Sequence, residues 1–262
     1  MSQSNTAKTL IFSVALNGYQ WVYAKCLKSH EQYARKIGAD YRAITTPFFS
    51  WAGVECCWLK LFLARQAMSA GYSAVVFLDA DTQVQISAPS IFDEVKNAKH
   101  IYMARGYSGQ VNSGVMLLRN HPKTRWFLTS VISTIRTGIA KRSNVGWGEN
   151  GNVIEVLKHS DCFSLLDDAW NKTAELGEAD YIRHYNHGPM RSFVLTHGWH
   201  KLVSRLSDYW YKLNMLVQRQ NKSTLIKKFV EKDLARIQKR YPMFGQLNSN
   251  LPEIKPRIRA TN

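Results

Sequence analysis

The first 80 residues alternate short apolar segments with longer amphipathic ones, and this alternation restricts the chain to few folds. We interpret the apolar segments as strands and the segments with helical spacing as helices, most of them closed by a glycine or a proline. The predicted order is strand 9–16, helix 20–37, strand 41–46, helix 55–70 and strand 74–78. Such a repeat predicts an α/β fold with a mostly parallel central sheet flanked by helices.

Beyond this region the alternation is less regular. We predict helices over 89–97, 122–137 and 149–158, strands over 100–104, 114–118, 163–166 and 181–185, and helices from residue 202 onward. We therefore divide the chain into an α/β domain, 1–200, and a basic helical C-terminal extension, 201–262.

The positive charge is concentrated in that extension. The chain carries 35 Lys and Arg against 19 Asp and Glu, a net charge of +16. Residues 201–262 hold 14 basic and 4 acidic side chains, which gives +10 of that total. The excess favours anionic partners: phosphorylated ligands, an acidic membrane surface or nucleic acid.

Residues 222–240 have apolar side chains at helical spacing and basic side chains mostly on the other side. Such a helix either lies in an anionic membrane interface or packs on the protein with a solvated basic face, and the sequence leaves both open. Nucleic acid ranks third, because no nucleic-acid-binding motif accompanies the charge.

The four cysteines show no C-x-x-C spacing, which favours a reducing compartment. The N-terminus is polar without a signal-peptide core, and no apolar run approaches the roughly 18 residues of a span. We expect a soluble cytoplasmic protein, with peripheral membrane attachment through 222–240 as an option.

Asp79 and Asp81 are the sharpest chemical feature. They follow a fully apolar predicted strand, and two carboxylates two positions apart on an extended segment point to the same side. They can share a cation at the end of a strand, where α/β sheets bind ligands. The alternatives are turn-capping carboxylates and a haloacid-dehalogenase-type D-x-D-x-T motif, which Gln83 in the Thr position argues against.

Three blocks carry a family resemblance. Trp58-x-Lys60, the segment Phe-Leu-Asp-Ala-Asp-Thr at 77–82 and the segment Val-Asn-Ser-Gly-Val-Met-Leu-Leu-Arg-Asn at 111–120 resemble nucleotide-sugar glycosyltransferases of the GT-A fold. The most similar groups are the galactosyltransferase family named for yeast mannan enzymes and the glycogenin-like and lipopolysaccharide galactosyltransferases. The resemblance covers about residues 9–200.

The resemblance implies a metal site that holds Mn²⁺ or Mg²⁺ and the diphosphate of the donor. Its ligands would be Asp79, Asp81 and a late histidine, for which we rank His184 first, then His187 and His197. Two carboxylates and an imidazole suit Mn²⁺ better than Ca²⁺.

The resemblance also implies contacts with the donor and the reacting sugar. The expected donor-binding residues are Asn17, Tyr19, Lys60, Asp79, Asp81, Asn112 and Ser113. Glu149 and Asn150 resemble a D/E-Q pair beside the reacting sugar, although Asn150 replaces the usual Gln. Trp170-Asn171 resembles an element near the acceptor, but we favour a core position for Trp170.

The expected function is a metal-dependent, retaining transfer of a hexose, galactose or glucose, from a UDP-sugar to a hydroxyl of a glycan or glycolipid. The alternative is a catalytically inactive GT-A scaffold that acts as a basic membrane- or nucleic-acid-binding module. The departure at Asn150 keeps this alternative open.

Overall fold

The computed structural model describes residues 8–51, 53–95, 98–136, 148–177, 179–186, 189–194, 197–217 and 222–245. The first half contains three strands and three helices in the predicted alternation. They are β1 (Thr9–Val14), α1 (Tyr19–Val22), α2 (Ala24–Lys36), β2 (Asp40–Ile44), α3 (Glu55–Ser69) and β3 (Ala74–Leu78).

The single helix predicted over 20–37 is two helices. Tyr23 leaves helical geometry between α1 and α2, with φ −109° and ψ 26°. Its ring is buried and lies 4.9 Å from the ring of Tyr19. Packing of this aromatic pair therefore accompanies a break that the apolar spacing did not indicate.

The second half contains shorter strands and the remaining helices. The elements are β4 (Thr82–Val84), β5 (Ile101–Met103), β6 (Val115–Arg119), α4 (Pro122–Ser133), α5 (Asn150–Leu157), β7 (Phe163–Leu165), β8 (Ile182–His184), α6 (Gly198–Val217) and α7 (Lys222–Arg240).

The helix predicted over 89–97 is wrong in its described part, because residues 91–94 form turns. The side chain of Tyr33 replaces the helical hydrogen bonds. Its hydroxyl accepts a hydrogen bond from the backbone N–H of Ile91 at 2.7 Å and donates one to the carbonyl of Pro89 at 3.0 Å. A contact with α2 thus fixes this segment in a non-helical form.

Six strands form the central sheet in the order β2-β1-β3-β6-β5-β7. Strand β6 is antiparallel to both β3 and β5, whereas the pairs β1–β2, β1–β3 and β5–β7 are parallel. This arrangement confirms the predicted mostly parallel sheet flanked by helices. Strands β4 and β8 form a separate antiparallel pair beside it.

The central strands are buried on both faces. All five residues of β3 are buried, and alternate side chains enter different apolar clusters: Phe77 packs on the side of α3, and Val76 and Leu78 on the opposite side. Rigid burial of β3 fixes the position of the acidic residues that follow it.

Helix α7 packs onto α3. Ile226, Val230 and Ile237 are buried in the main core, and the ring of Phe244, just beyond the helix, lies 5.5 Å from that of Phe12. The apolar side of 222–240 is therefore covered by protein, as in the packed-helix alternative, and is not available to a membrane. The division of the chain at residue 200 stays a prediction.

Among the helices that the structure describes, none is both long enough and apolar enough to cross a bilayer.

Candidate active site

The acidic pair lies at the end of the buried strand β3. The backbone N–H of Asp79 donates to the carbonyl of Gly114 at 2.8 Å, and the backbone N–H of Thr82 donates to the carbonyl of Asp79 at 3.0 Å. These bonds turn the chain directly after the strand. The turn presents both carboxylates to one pocket.

A histidine reaches this pair through the pairing of β4 with β8, in which Thr82 lies opposite His184. The Nε2 atom of His184 is 3.3 Å from Oδ1 of Asp81 and 3.8 Å from Oδ2 of Asp79. Potential ligand atoms of the three side chains all lie within 4.8 Å of one another. The structure thus brings together the first-ranked histidine and both aspartates.

Of the two other histidine candidates, the structure describes His197. His197 lies in the bend before α6, exposed, with its ring 5.2 Å from that of His200, and it does not belong to the cluster. His187 lies outside the described residues.

Asn171 contacts the ring of His184 on the side away from the aspartates, a contact that we did not predict from the sequence. Its Oδ1 lies 2.9 Å from Nδ1 of His184, so the ring donates from Nδ1 and directs Nε2 towards the aspartates. Its Nδ2 donates to Oδ1 of Asn112 at 3.0 Å. Trp170 is fully buried, as expected. The Trp-Asn dipeptide was the feature of the sequence that could have pointed to Asn171.

A buried lysine lies beside the acidic pair. The Nζ atom of Lys60 is 2.7 Å from Oε1 of Glu149 and 3.6 Å from Oδ1 of Asp79. It also donates to the carbonyl and hydroxyl of Ser113, each at 3.1 Å. The Ser113 hydroxyl donates to Glu149 at 2.6 Å, so four predicted site residues form one network.

Asn150, at the position where the resemblance leads us to expect Gln, supports the loop before β6. Its Oδ1 accepts from the backbone N–H of Ser113 at 2.9 Å, and its Nδ2 donates to the carbonyl of Val111 at 3.1 Å. Asn112 folds back in the same loop, since its Oδ1 accepts from the backbone N–H of Gly114 at 2.8 Å. The amide of Asn150 is therefore used to hold the predicted sugar-binding segment.

Asn17 and Tyr19 also line the pocket. Asn17 has a φ of 58°, and its Oδ1 accepts from the backbone N–H of Ser50 at 2.9 Å. The pocket measures about 450 Å³, a size suited to a small organic ligand. Its lining includes Asn17, Tyr19, Lys60, Asp79, Asp81, Asn112, Ser113, Glu149, Asn150 and His184.

Burial and charge together shift the acid–base behaviour of the cluster. Burial raises the pKa of Asp79, with the negative Asp81 adding to the effect and Lys60 opposing it. Burial acts the same way on Asp81, but the charge and hydrogen bond of His184 outweigh it and lower the pKa of Asp81. Burial lowers the pKa of His184, and the carboxylates of Asp81 and Asp79 reverse this and raise it. The negative field that favours a proton here also favours a cation.

The cluster fits a divalent metal ion. An ion about 2 Å from each ligand atom needs ligands within about 4 Å of one another, and the measured separations meet this with small adjustment. The contact of Asn171 with Nδ1 leaves Nε2 of His184 as the nitrogen available to an ion. Carboxylate oxygens with one imidazole nitrogen form a ligand set for a divalent metal ion.

No protein-family model matches the chain, and no curated protein sequence matches it either. Several solved structures are similar to the chain. The chain is similar to a glycosyltransferase involved in glycosylation of the major capsid of the virus PBCV-1, with a TM-score of 0.54, 13% identity and coverage of 71% of this chain and 97% of that one. This likeness, with the sheet order, shows the GT-A fold.

Weaker similarities extend to two further structures. The glycosyltransferase GlyE of Streptococcus pneumoniae gives a TM-score of 0.45 and 16% identity, over 76% of this chain and 63% of that one. Mouse xyloside xylosyltransferase 1 gives a TM-score of 0.42 and 14% identity, over 69% of this chain and 97% of that one.

Proposed function

We propose that this GT-A-fold chain is a metal-dependent, retaining glycosyltransferase that moves a hexose, galactose or glucose, from a UDP-sugar to a hydroxyl of a glycan or glycolipid. The observation that carries the proposal is the convergence of Asp79, Asp81 and His184 in the lining of a pocket large enough for a donor. Fold alone does not assign an activity, so the proposal depends on this site.

The ion would be held by Asp79, Asp81 and Nε2 of His184. When bound, a divalent cation neutralises the negative charge that grows on the departing diphosphate. Lys60 adds a permanent positive charge close to Asp79, and its pKa is raised because the carboxylates of Asp79 and Glu149 outweigh the effect of burial. The chain therefore offers positive charge where a diphosphate would lie.

Glu149 favours a retaining outcome. Its Oε1 accepts hydrogen bonds from Lys60 and Ser113, so this oxygen already has two donors and is not placed to act as the base for an acceptor hydroxyl. A reaction without a strong protein base suits a mechanism in which the leaving phosphate accepts the proton of the acceptor hydroxyl. We assign Glu149 to stabilising positive charge on the reacting sugar, and Asn150 to holding Ser113 and Asn112 against it.

The remaining donor contacts follow from the shape of the pocket. We assign Asn17 and Tyr19, which follow β1 and line the pocket, to the base and ribose of the donor. We assign Asn112 and Ser113, which also line the pocket, to the sugar, since Ser113 contacts Glu149.

The test combines binding and turnover. We expect UDP to bind much more tightly with Mn²⁺ than without it in a calorimetric titration, and one UDP-hexose in a donor panel to be hydrolysed slowly without acceptor. Asp81→Asn should abolish both effects in a folded protein, whereas Asp168→Asn, an exposed acid elsewhere, should change neither. Metal-independent UDP binding, or an active Asp81→Asn protein, would refute the proposal and favour the inactive scaffold.

A further inference from the structure

Helix α6 carries a continuous apolar stripe on its outer side. Large apolar side chains recur at spacings of three and four residues, which places them within roughly 80° of the helix circumference. Their exposed fractions range from 41% to 68%, and they are Trp199, Leu202, Leu206, Tyr209 and Leu213. Single exposed apolar residues are ordinary, but an aligned series of five marks a binding surface.

The opposite side of α6 is attached to the protein. Val203 lies against Gly18 so closely that a Cβ on this glycine would be 2.6 Å from Cγ1 of Val203. Ser204 accepts a hydrogen bond from Arg191, and Asp208 lies 3.6 Å from the same guanidinium. These contacts fix which side of α6 faces the protein and which side faces outward.

Basic side chains flank the stripe. Lys201, Arg205 and Lys212 are exposed and follow one edge of it along the helix. The single acidic residue of α6 is Asp208, which is near Arg191. Lys25 adds positive charge near the start of α6. Burial lowers the pKa of His200, and His197 and then Lys25 add to this effect.

We propose that the outer side of α6 docks the protein onto an anionic lipid surface, with the apolar stripe at the boundary of the acyl chains and the lysine and arginine side chains among the headgroups. A helix with a large exposed apolar stripe and a basic flank has the composition of an interfacial helix. This surface differs from segment 222–240, whose apolar side is buried in the core.

Charge distinguishes a lipid surface from a second copy of the chain. A symmetric contact through α6 would bring Lys201, Arg205 and Lys212 close to their equivalents, without exposed acids on the helix to pair with them. Two chains of net charge +16 also repel each other, whereas an anionic bilayer attracts each of them.

Docking would bring the pocket close to the bilayer, because Ser207 and Asp208 of α6 also line the pocket. This favours a lipid-linked acceptor over a free one, a consequence that rests on the proposed function. Membrane binding itself does not depend on catalysis, so its test can fail or succeed separately.

The experiment is co-sedimentation of the full chain with vesicles of phosphatidylcholine alone or mixed equally with phosphatidylglycerol. We expect binding to the anionic vesicles only. Leu202→Ser with Leu206→Ser should weaken it about tenfold or more, because the apolar area inserted into the interface is lost. The matched control, Ile86→Ser with Leu176→Ser, removes two exposed apolar side chains elsewhere and should leave binding unchanged.

A second pair of variants separates this surface from general positive charge. Replacing Lys201, Arg205 and Lys212 by Gln should weaken binding roughly a hundredfold at low salt. The same replacement of Lys228, Lys239 and Arg240, exposed on α7, should have a much smaller effect. Equal losses in both triple variants would overturn the proposal, as would absence of vesicle binding or a dimer in sedimentation velocity that the double leucine variant dissociates.

Discussion

The ammonium group of Lys60 lies 2.7 Å from the Glu149 carboxylate, and both side chains are almost completely buried. A charge pair in such a position is costly to break, because the remaining partner stays buried without compensation. The pair joins α3 to the residue just before α5, so it holds two walls of the pocket together.

The first prediction concerns this pair. Lys60→Met and Glu149→Gln should each lower the free energy of unfolding by about 3–5 kcal/mol, and the double variant should lose less than the sum. Urea unfolding at neutral pH measures all three values. The control is Glu155→Gln, which disrupts a more exposed pair with Lys158 and should cost about 1 kcal/mol or less. Strict additivity of the two single variants would contradict the coupling.

The second prediction concerns Asn171. Asn171→Ala removes the hydrogen bond that fixes the His184 ring, so we expect Mn²⁺ affinity in the presence of UDP to fall about 10- to 100-fold. Calorimetry on the purified protein measures the affinity without any turnover. Asn152→Ala deletes another buried amide, which bonds Thr134, and should reduce stability without changing metal affinity. Equal metal affinities in wild type and Asn171→Ala would show that the ring is held by packing alone.

The third prediction concerns Gly114, next to the histidine. A Cβ at this position would lie 2.3 Å from Cε1 of His184, so Gly114→Ala must displace the imidazole. We expect this variant to lose metal-enhanced UDP binding while circular dichroism shows a folded protein. Gly198→Ala, where the added methyl group meets nothing within 4 Å, is the matched control and should bind UDP normally. Retained metal-enhanced binding in Gly114→Ala would mean that His184 is not required.

The fourth prediction concerns pH and His30. This fully buried ring contacts Ser13 at 2.9 Å and the carbonyl of Thr82 at 2.7 Å, and burial lowers its pKa to about 4. The folded protein therefore keeps His30 neutral at pH values below 6.5, the ordinary histidine pKa, where the unfolded chain binds a proton. The contribution of His30 to the free energy of unfolding is fully present above pH 6.5. It declines by about 3 kcal/mol as the pH falls towards 4.

The measurement is the free energy of unfolding across that pH range. His30→Gln should flatten the decline, whereas His159→Gln, at an exposed position, should preserve it. An identical pH profile in wild type and His30→Gln would indicate that other groups cause the acid sensitivity.

The sequence predicted the sheet better than the connections. Strand β3 begins and ends at the predicted residues, because five consecutive apolar residues between polar flanks leave little choice. The sequence did not predict the turns at 91–94. The hydroxyl of Tyr33 in α2 accepts a hydrogen bond from the backbone of Ile91, and local spacing does not encode this contact.

The candidate site shows the same division. Local pattern located Asp79 and Asp81 and ranked His184 first among the late histidines. The closeness of His184 to the aspartates depends on the pairing of β8 with β4, and β4 is a strand that we did not predict. Asn171 hydrogen-bonds a residue 13 positions away, and Asn150 hydrogen-bonds backbone groups of the loop before β6; the sequence pattern indicated neither contact. Contacts between segments distant in sequence decide these positions.

The short β4–β8 ladder has a consequence for how this chain can diverge. Successive side chains of a strand point to opposite sides, so an insertion or deletion of one residue within 182–184 would turn the imidazole away from the carboxylates. Changes in the length of the loops outside the ladder would leave that orientation intact. Descendants of this protein can therefore vary those loops widely, but the number of residues in the ladder must stay the same.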